Sequence, residues 1–529
     1  MSASFRFFFM LITASDFVKV AYAPKAVWAK LTRGPEREEA PVCRSIDRVR
    51  YDEGKARFGE WLSEQFGARV RDLGPLFNLM WPEANECYES AAREVVAQGD
   101  LLLGSHFRHG DCVAVPDILA AEAGGRVNLI GVDLKTEPNR DEVAPNALFN
   151  KTVLENNGFN VSRISAFQLN PDYVEGKSGR EELFLEMDIA AKLSQYEPEI
   201  VTRLETLEEL KYRFDPPQRL DEYCPRVDDA ALPAEHVFLL KQGRQRAAEA
   251  LAAGITALKD IPLDKTITDD HRIQIESAQS GQRHIDKERL SDFIGKLQYP
   301  VQSLDFETMS TPVPLFINSR PHQNIPFEFS LHTRETPGQR LVRAHFLHRA
   351  ATDPRPELIK ALKATLRPEG SILVYARGCE ENVLKELGRD FPEFKRFSED
   401  IVPRLVDLYD VFRGFMMYDP RQRCKTRFKK VLECFVGKSY DELDIKNGET
   451  ATYEYQRVTH QPLGPVSHED RDAVYKRLEV YCDQDSWGQH DLVEVAERLS
   501  GARIRYARLS GRCQERSCAP PRDNLLALP

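Results

Sequence analysis

Apolar and polar positions in the second half of the chain form short β-rich runs separated by amphipathic segments. The predicted strands are 298–306, 326–333, 340–348, 371–376 and 402–409. The predicted helices between them are 354–366 and 380–390. Alternation of this kind builds a mixed sheet with helices packed against it. We therefore expect an α/β fold in this part of the chain.

A single long helix is predicted over residues 468–498, because apolar side chains recur there at helical spacing. This apolar stripe consists of Leu478, Val480, Tyr481, Trp487, Leu492, Val493 and Val495. Within the helix, Tyr481 and Asp485 are four residues apart and share one face. For this pair alone, a core tyrosine beside a solvated aspartate is the alternative interpretation.

The first half contains a predicted β-hairpin. Asp117-Ile118-Leu119 is followed by a Gly-Gly turn at 124–125 and by the strand-like run 127–135. A helix is then predicted from Pro145 to Asn157. The hairpin and the helix indicate that this half is also α/β.

The chain has 529 residues, which is too long for a single hydrophobic core. Proline breaks suggest domains at 1–215 and 297–509, a helical connector at 216–296 with a hairpin-like segment near 251–258, and a disordered tail at 510–529. Within the connector, a helix should begin after Thr268, an N-cap residue followed by two acidic residues.

The first candidate site is the pair Asp305 and Glu307 on the first predicted strand of the second half. Residues two apart on a strand point to the same face. Two carboxylates this close repel each other unless a hard cation lies between them, so the pair is a candidate half-site for Mg²⁺ or Mn²⁺. If Asp305-Phe306-Glu307 is considered alone, the alternative interpretation is a solvated strand edge.

The strand with Asp305 and Glu307, followed by a helix with Tyr481 and Asp485, resembles the DnaQ-like 3′–5′ exonucleases of the DEDD tyrosine subtype. The resemblance implies an RNase H-like mixed sheet with flanking helices. It also implies two metal ions held by the three carboxylates, with Tyr481 orienting the attacking water. A fourth metal ligand is implied at a strand-to-helix turn, where Glu380 replaces the usual Asp. Ala376 stands at that turn where the family has Asn.

The resemblance extends to an uncharacterised bacterial family described as a domain of unknown function. That family has a RecB-like nuclease region ahead of a DnaQ-like exonuclease. The segments that carry this resemblance are Ala253-Gly254-Ile255-Thr256, Arg320-Pro321-His322-Gln323, Ile325 to His332, Asp407-Leu408 and Lys429-Lys430-Val431-Leu432.

The predicted hairpin in the first half carries a second candidate site, which resembles the PD-(D/E)XK nucleases. The resemblance implies a restriction-endonuclease-like fold, with a divalent metal held by Asp117 and Asp133. Lys135 would orient water or stabilise developing negative charge. A hairpin with a solvated Asp and Lys is the alternative. Asn150 occupies the place where RecB-like enzymes often supply a Gln.

Relatives of such a region often bind an iron–sulfur cluster through one early cysteine and three later ones. This chain has Ala23 at the early position and only Cys224 in the later segment, so no iron–sulfur cluster is expected. A degenerate, DNA-binding or purely structural module therefore stays open as an alternative for residues 1–215.

A net charge of −10 argues against a generally basic surface, so any nucleic-acid contact is expected to be local. One basic run beside Phe428 could contact phosphates, with a solvated charged face as the alternative. It consists of Arg421, Arg423, Lys425, Arg427, Lys429 and Lys430. The expected partner is nucleic acid, DNA in preference to RNA.

No apolar run approaches the length of a membrane span, and the ten cysteines lack paired spacing, which favours a cytoplasmic location. The apolar segment 7–12, with Ala21-Tyr22-Ala23 after it, resembles a short signal peptide. Against this interpretation, Asp16 and Lys19 interrupt the apolar run between the two segments, and Met10 is an alternative start. The function predicted from the sequence is a metal-dependent 3′–5′ exonuclease. The alternative is a non-catalytic nucleic-acid-binding or scaffold protein built from decayed nuclease domains.

Overall fold

A computed structural model of the chain describes residues 12–19, 27, 43–67, 69–72, 83–212, 233, 235–265 and 267–506. Ala23 and Cys224, which led to the prediction that no iron–sulfur cluster is bound, lie outside these residues. The residues before Ile12 and the tail from 510 also lie outside them.

The N-terminal region contains a six-stranded sheet and a smaller three-stranded one. Its strands are β1 (Ile12–Thr13), β2 (Val70–Asp72), β3 (Leu101–Leu103), β4 (Phe107–His109), β5 (Cys112–Ala114), β6 (Ile118–Glu122), β7 (Arg126–Asp133), β8 (Asn160–Leu169) and β9 (Phe184–Glu186). Its helices are α1 (Ala14–Lys19), α2 (Cys43–Phe66), α3 (Glu83–Ala97), α4 (Arg140–Asn156), α5 (Ala190–Tyr196) and α6 (Ile200–Tyr212). The six-stranded sheet has the strand order β2-β3-β6-β7-β8-β9, and the smaller sheet has the order β1-β5-β4.

The predicted hairpin is confirmed, since β6 and β7 pair antiparallel around Gly124 and Gly125, both of which have positive φ. Strand β7 is apolar on both faces, because Leu129 and Ile130 belong to different hydrophobic clusters. The predicted start of the next helix at Pro145 was wrong. Helix α4 begins five residues earlier, because the side chain of Asn139 caps it by accepting a hydrogen bond from the backbone N–H of Asp141.

The connector contains helices α7 (Arg244–Ala252), α8 (Asp269–Ser280) and α9 (Lys287–Ile294). Helix α8 begins as predicted, with the Thr268 side chain accepting a hydrogen bond from the backbone N–H of His271. The hairpin-like segment near 251–258 has an α-helix on its N-terminal side only. After α7 the chain forms only a short 3₁₀ turn at Leu258–Asp260, and Pro262 stands two residues beyond its end.

Within the described residues, the C-terminal region contains a five-stranded sheet and two short two-stranded sheets. Its strands are β10 (His284–Ile285), β11 (Gln298–Tyr299), β12 (Val301–Met309), β13 (Ile325–Arg334), β14 (Val342–Leu347), β15 (Ile372–Val374), β16 (Leu405–Asp407), β17 (Met417–Tyr418) and β18 (Arg505–Tyr506). Its helices are α10 (Arg355–Thr365), α11 (Gly378–Asp390), α12 (Pro392–Ile401), α13 (Tyr409–Arg413), α14 (Phe428–Val436), α15 (Gly448–Thr459) and α16 (His468–Ser500). The two short sheets are β10-β17 and β11-β18. The mixed α/β architecture expected from the sequence is therefore present.

The strand order of the main C-terminal sheet is β14-β13-β12-β15-β16, which places β12 at the centre. Strand β12 is antiparallel to β13 and parallel to β15, and β15 is parallel to β16. In this register Asp305 lies opposite Ser330 and Glu307 lies opposite Glu328. The two acidic residues of β12 are thus on one face of a central strand.

The long predicted helix is confirmed as α16, which is capped by Ser467 and ends at Gly501 in the left-handed conformation. Its predicted apolar stripe was too broad. Val480 and Trp487 are 53% and 46% exposed, although the Trp487 ring lies 5.4 Å from that of His332 on β13. Among the described residues, no helix combines the length and the apolar composition needed to cross a membrane.

Candidate functional site

Three carboxylates predicted from the sequence come together between the central strand and the long helix. Asp305 and Glu307 project from β12, and Asp485 projects from α16, which packs against β12 and β13. One oxygen from each carboxylate lies within 4.8 Å of the other two. The period of two along the strand and the position on the helix therefore bring these side chains to one point.

These three carboxylates are buried next to one another, which makes their ionised forms energetically unfavourable. Burial raises the pKa of Asp305 and of Glu307 well above the usual range, and repulsion from Asp485 adds to the shift in both. Burial also raises the pKa of Asp485, but hydrogen bonding from Tyr440, the charge of Lys429 and hydrogen bonding from Tyr481 limit it to about 6. A cluster of this kind favours a positive charge at its centre.

Glu380, the fourth expected metal ligand, is close to this cluster without being part of it. It lies in the first turn of α11 and is 5% exposed. Burial, followed by repulsion from Asp407, raises its pKa to about 8. Its Oε2 atom makes no hydrogen bond within the described part of the chain. Its charge contributes to the raised pKa of both Asp305 and Glu307, so Glu380 faces the same space.

The turn that presents Glu380 is organised by Asp407 at the end of β16. Its carboxylate accepts hydrogen bonds from the backbone N–H groups of Ala376, Arg377 and Tyr409, at 2.9, 3.1 and 2.9 Å. Ala376 has a φ of +64°, a left-handed conformation that Asn or Gly tolerates better than Ala. The Asn expected at this position would suit the backbone found there.

Tyr481 lies beside Asp485 in a group that includes two residues not predicted as catalytic. The hydroxyl of Tyr440 donates a hydrogen bond to Asp485. The Lys429 ammonium donates one to the hydroxyl of Tyr481 at 3.0 Å. Burial and the neighbouring carboxylates raise the pKa of both tyrosines, which keeps their hydroxyls protonated. No sequence pattern singled out Tyr440, whereas Lys429 was assigned to the basic run.

A buried polar layer on β13 and β14 surrounds the carboxylates. Glu328 is fully buried opposite Glu307, and one of its oxygens lies 2.8 Å from Nε2 of His345. Burial raises the pKa of Glu328 to about 7. Ser330 and His332 each lie 2.8 Å from the hydroxyl of Ser486 on α16. The alternation of polar residues at 328, 330 and 332 signals this face, but such alternation more often marks a solvated one.

The six residues of the predicted basic run do not share one environment. Arg421 is paired with Asp419 at 2.7 Å, and Lys430 is paired with Glu433 at 2.9 Å. Lys429 lies inside the carboxylate site. The remaining three, none of them buried, are Arg423, Lys425 and Arg427. The run is therefore divided between the site and its surroundings.

The second predicted site lies in a cleft of about 570 Å³ in the N-terminal region. Asp117, Asp133 and Lys135 all line this cleft. Asp117 accepts a hydrogen bond from the backbone N–H of Val132 at 2.9 Å. The Lys135 ammonium lies 3.9 Å from the carboxylate of Asp133. Burial raises the pKa of Asp133, and the charge of Lys135 opposes this shift.

Helices α2 and α4 contribute further residues to the N-terminal cleft. Lys55 of α2 forms an ion pair with Asp117 and was not predicted, because no motif links this helix to the hairpin. Burial lowers the pKa of Lys55, but the charges and hydrogen bonds of Asp117 and Tyr51 together outweigh burial and leave the pKa raised. Asn150 of α4 lines the cleft and accepts a hydrogen bond from the backbone N–H of Val115 at 3.2 Å.

Residues 302–427 match the model of a family described as a domain of unknown function, DUF2779. That range includes Asp305, Glu307 and Glu380 and ends before Tyr481 and Asp485. No curated protein matches the chain, and no solved structure matches it. The match agrees with the resemblance to an uncharacterised family, and over this range it identifies a domain without an assigned activity.

Proposed function

We propose that the protein is a metal-dependent nuclease whose main active site is the carboxylate cluster of the C-terminal region. The observation that carries this proposal is the convergence of Asp305, Glu307 and Asp485, whose oxygens lie within 4.8 Å of one another. The order of the five strands, with β12 at the centre and antiparallel to β13, is consistent with the RNase H-like sheet expected from the resemblance.

The residues present suit a hard divalent cation such as Mg²⁺ or Mn²⁺. Such ions prefer carboxylate oxygens, and the three clustered carboxylates have raised pKa values that a cation would reverse. The buried Oε2 of Glu380 lacks a hydrogen-bond partner among the described residues. Asp305, Glu307 and Asp485 would hold the metal, and Glu380 would complete the set for a second ion.

Bound cations would supply the positive charge that activates water and stabilises the phosphodiester transition state. The role of Tyr481 follows from its own contacts. Its raised pKa excludes the phenolate as a base at neutral pH, so its hydroxyl acts as a hydrogen-bond partner that orients water. Asp407 has a supporting role, because it fixes the backbone turn that presents Glu380.

The expected substrate is a nucleic-acid strand, DNA in preference to RNA, digested from its free 3′ end. This polarity comes from the resemblance to DnaQ-like exonucleases. The exposed cation Arg427, which immediately precedes α14, supports a nucleic-acid substrate because it can contact a phosphate beside the site. Contacts from such residues would add affinity that falls as the salt concentration rises.

The test is digestion of end-labelled single-stranded DNA by the full chain in the presence of Mn²⁺. The substitution Asp305→Ala should abolish digestion, since it removes a metal ligand. Asp441→Ala, at an exposed acidic position next to Tyr440, is the matched control and should digest normally. A strand blocked at its 3′ end should resist, whereas one blocked at its 5′ end should not. Unchanged digestion by Asp305→Ala would refute the assignment of this site.

A second candidate function is supported by the N-terminal cleft, where Asp117, Asp133 and Lys135 line one space. We propose a second divalent-metal nuclease site there, with Lys55 as an additional cation next to Asp117. Circular single-stranded DNA separates the two sites, because it has no 3′ end. Cleavage of circles should persist in Asp305→Ala and disappear in Asp133→Asn. Nucleic-acid binding without any cleavage would instead favour the scaffold alternative.

A further inference from the structure

We propose that Lys429 is a positioning residue of the C-terminal site, which acts by fixing the direction of the Tyr481 hydroxyl. This inference rests on the proposed nuclease function and extends it to a residue that sequence reasoning placed among phosphate contacts. Lys429 lies in the first turn of α14, which packs against α16. Its location is therefore set by helix packing and not by a flexible surface loop.

The Lys429 ammonium is held by several contacts at once. It donates a hydrogen bond to the Tyr481 hydroxyl at 3.0 Å and another to the backbone carbonyl of Lys446. It also lies 4.5 Å from the ring centres of both Tyr440 and Tyr481. An ammonium over two aromatic rings and bonded to two oxygens is ordered in one place. A lysine that only contacts phosphates from solvent would not require these four contacts.

The chemistry of the two groups gives the direction of the effect. An ammonium has donors and no acceptor, so its hydrogen bond occupies a lone pair of the Tyr481 oxygen. The hydroxyl hydrogen of Tyr481 is then left to donate toward the carboxylate site, where its hydrogen bond lowers the pKa of Asp485. A hydroxyl that accepts a hydrogen bond from a cation is also a stronger donor. Without Lys429, the hydroxyl would be free to rotate.

Lys429 also affects the charge of the site. Burial lowers the pKa of Lys429, whereas the negative charges of Asp485, Glu307 and Asp305 oppose this shift and favour the charged ammonium. In the metal-free protein it partly balances these carboxylates, whereas a bound dication would be repelled by it. Its removal should therefore favour metal binding while it harms the reaction. A residue that only supports the fold would lower both together.

The experiment compares Lys429→Met, Tyr481→Phe and the double variant with wild type in the Mn²⁺-dependent digestion of a 3′-ended strand. Each single variant should lower kcat about a hundredfold, with KM for the strand nearly unchanged. The double variant should be no slower than Tyr481→Phe, because Lys429 acts through the hydroxyl that this variant lacks. Lys438→Met is the matched control and should retain full activity, since Lys438 is paired with Asp491 on the surface.

A calorimetric Mn²⁺ titration provides a readout that does not depend on catalysis. Lys429→Met should bind Mn²⁺ about tenfold more tightly than wild type, because one unit charge is removed beside a dication. Lys438→Met should bind it as wild type does. Additive losses in the double variant, a raised KM, or weaker Mn²⁺ binding would each overturn the role of Lys429. A wild-type protein that digests no strand at all would refute the proposed function itself.

Discussion

Replacing Glu380 by Gln should stabilise the metal-free protein and weaken its catalysis. Glu380 is 5% exposed, and its Oε2 has no hydrogen-bond partner within the described part of the chain. Gln keeps the shape of the side chain and removes the charge. The variant therefore isolates the energetic effect of holding a carboxylate at this position without its cation.

The magnitude follows from the pKa of Glu380, which burial raises from the ordinary 4.5 to about 8. A carboxyl whose pKa is raised on folding favours the folded state at low pH, and this contribution is lost as the pH rises through 8. At about 1.4 kcal/mol per pKa unit, the ionisable group destabilises the fold by roughly 4 kcal/mol near pH 8 and roughly 1 kcal/mol near pH 5. Gln removes this pH-dependent loss.

The assay is thermal unfolding in the presence of EDTA between about pH 5 and pH 8, monitored by circular dichroism. Near pH 8, Glu380→Gln should melt about 10 °C above wild type, since 1 kcal/mol shifts the Tm of a domain of this size by about 2–4 °C. Near pH 5 the Tm difference should shrink to about 2–4 °C. The control is Glu381→Gln, because Glu381 is ion-paired with Arg377 and Lys385 and its pKa is lowered. It should be neutral or slightly destabilising.

Saturating Mn²⁺ gives the complementary measurement. Metal binding to the folded state adds stability, and wild type should gain more than the variant because it keeps one more carboxylate. The difference in Tm near pH 8 should then shrink or reverse. If the Tm values of wild type and Glu380→Gln in EDTA changed with pH in parallel, the reasoning would be refuted. Such a result would show that ionisation of Glu380 does not destabilise the folded protein.

Two further predictions concern neighbouring positions. Tyr440→Phe removes the hydrogen bond to Asp485, so the pKa of Asp485 should rise above about 6. The lower limb of the pH profile of Mn²⁺-dependent digestion should move to higher pH, and an unchanged profile would contradict this role. Ala376→Gly should raise the free energy of unfolding by about 0.5–1 kcal/mol, measured with guanidinium, because Ala376 has a φ of +64°. A loss of stability would show that its side chain contributes packing.

The sequence was sufficient to predict features that depend on local periodicity. The period of a strand placed Asp305 and Glu307 on one face, and α16 was predicted to within a few residues. The capping of α8 by Thr268 could also be predicted from the sequence, because an N-cap residue acts within one helical turn. For the same reason the hairpin of β6 and β7 could be found from its Gly-Gly turn.

Other features depend on which surfaces meet, and the sequence did not reveal them. Lys55 reaches Asp117 from a helix 62 residues earlier in the chain, so neither residue predicts the other. The exposure of Val480 and Trp487 could not be predicted either, because helical spacing alone does not say which part of an apolar stripe other elements cover. The basic run was read as one surface because its residues are consecutive, yet its members divide once α14 packs against α16.

The packing of α14 against α16 connects these observations, and it is close at Gly488. Tyr481, Asp485 and Gly488 recur at positions i, i+4 and i+7, so they share one face of α16. A Cβ atom at Gly488 would lie 3.0 Å from side-chain carbons of Leu432 and Phe428 on α14. Glycine in the middle of a helix costs about 1 kcal/mol relative to alanine. Here it allows the close approach that carries Lys429, the residue after Phe428, to the hydroxyl of Tyr481. A helix-weakening residue one turn beyond Asp485 is therefore part of how the site is assembled.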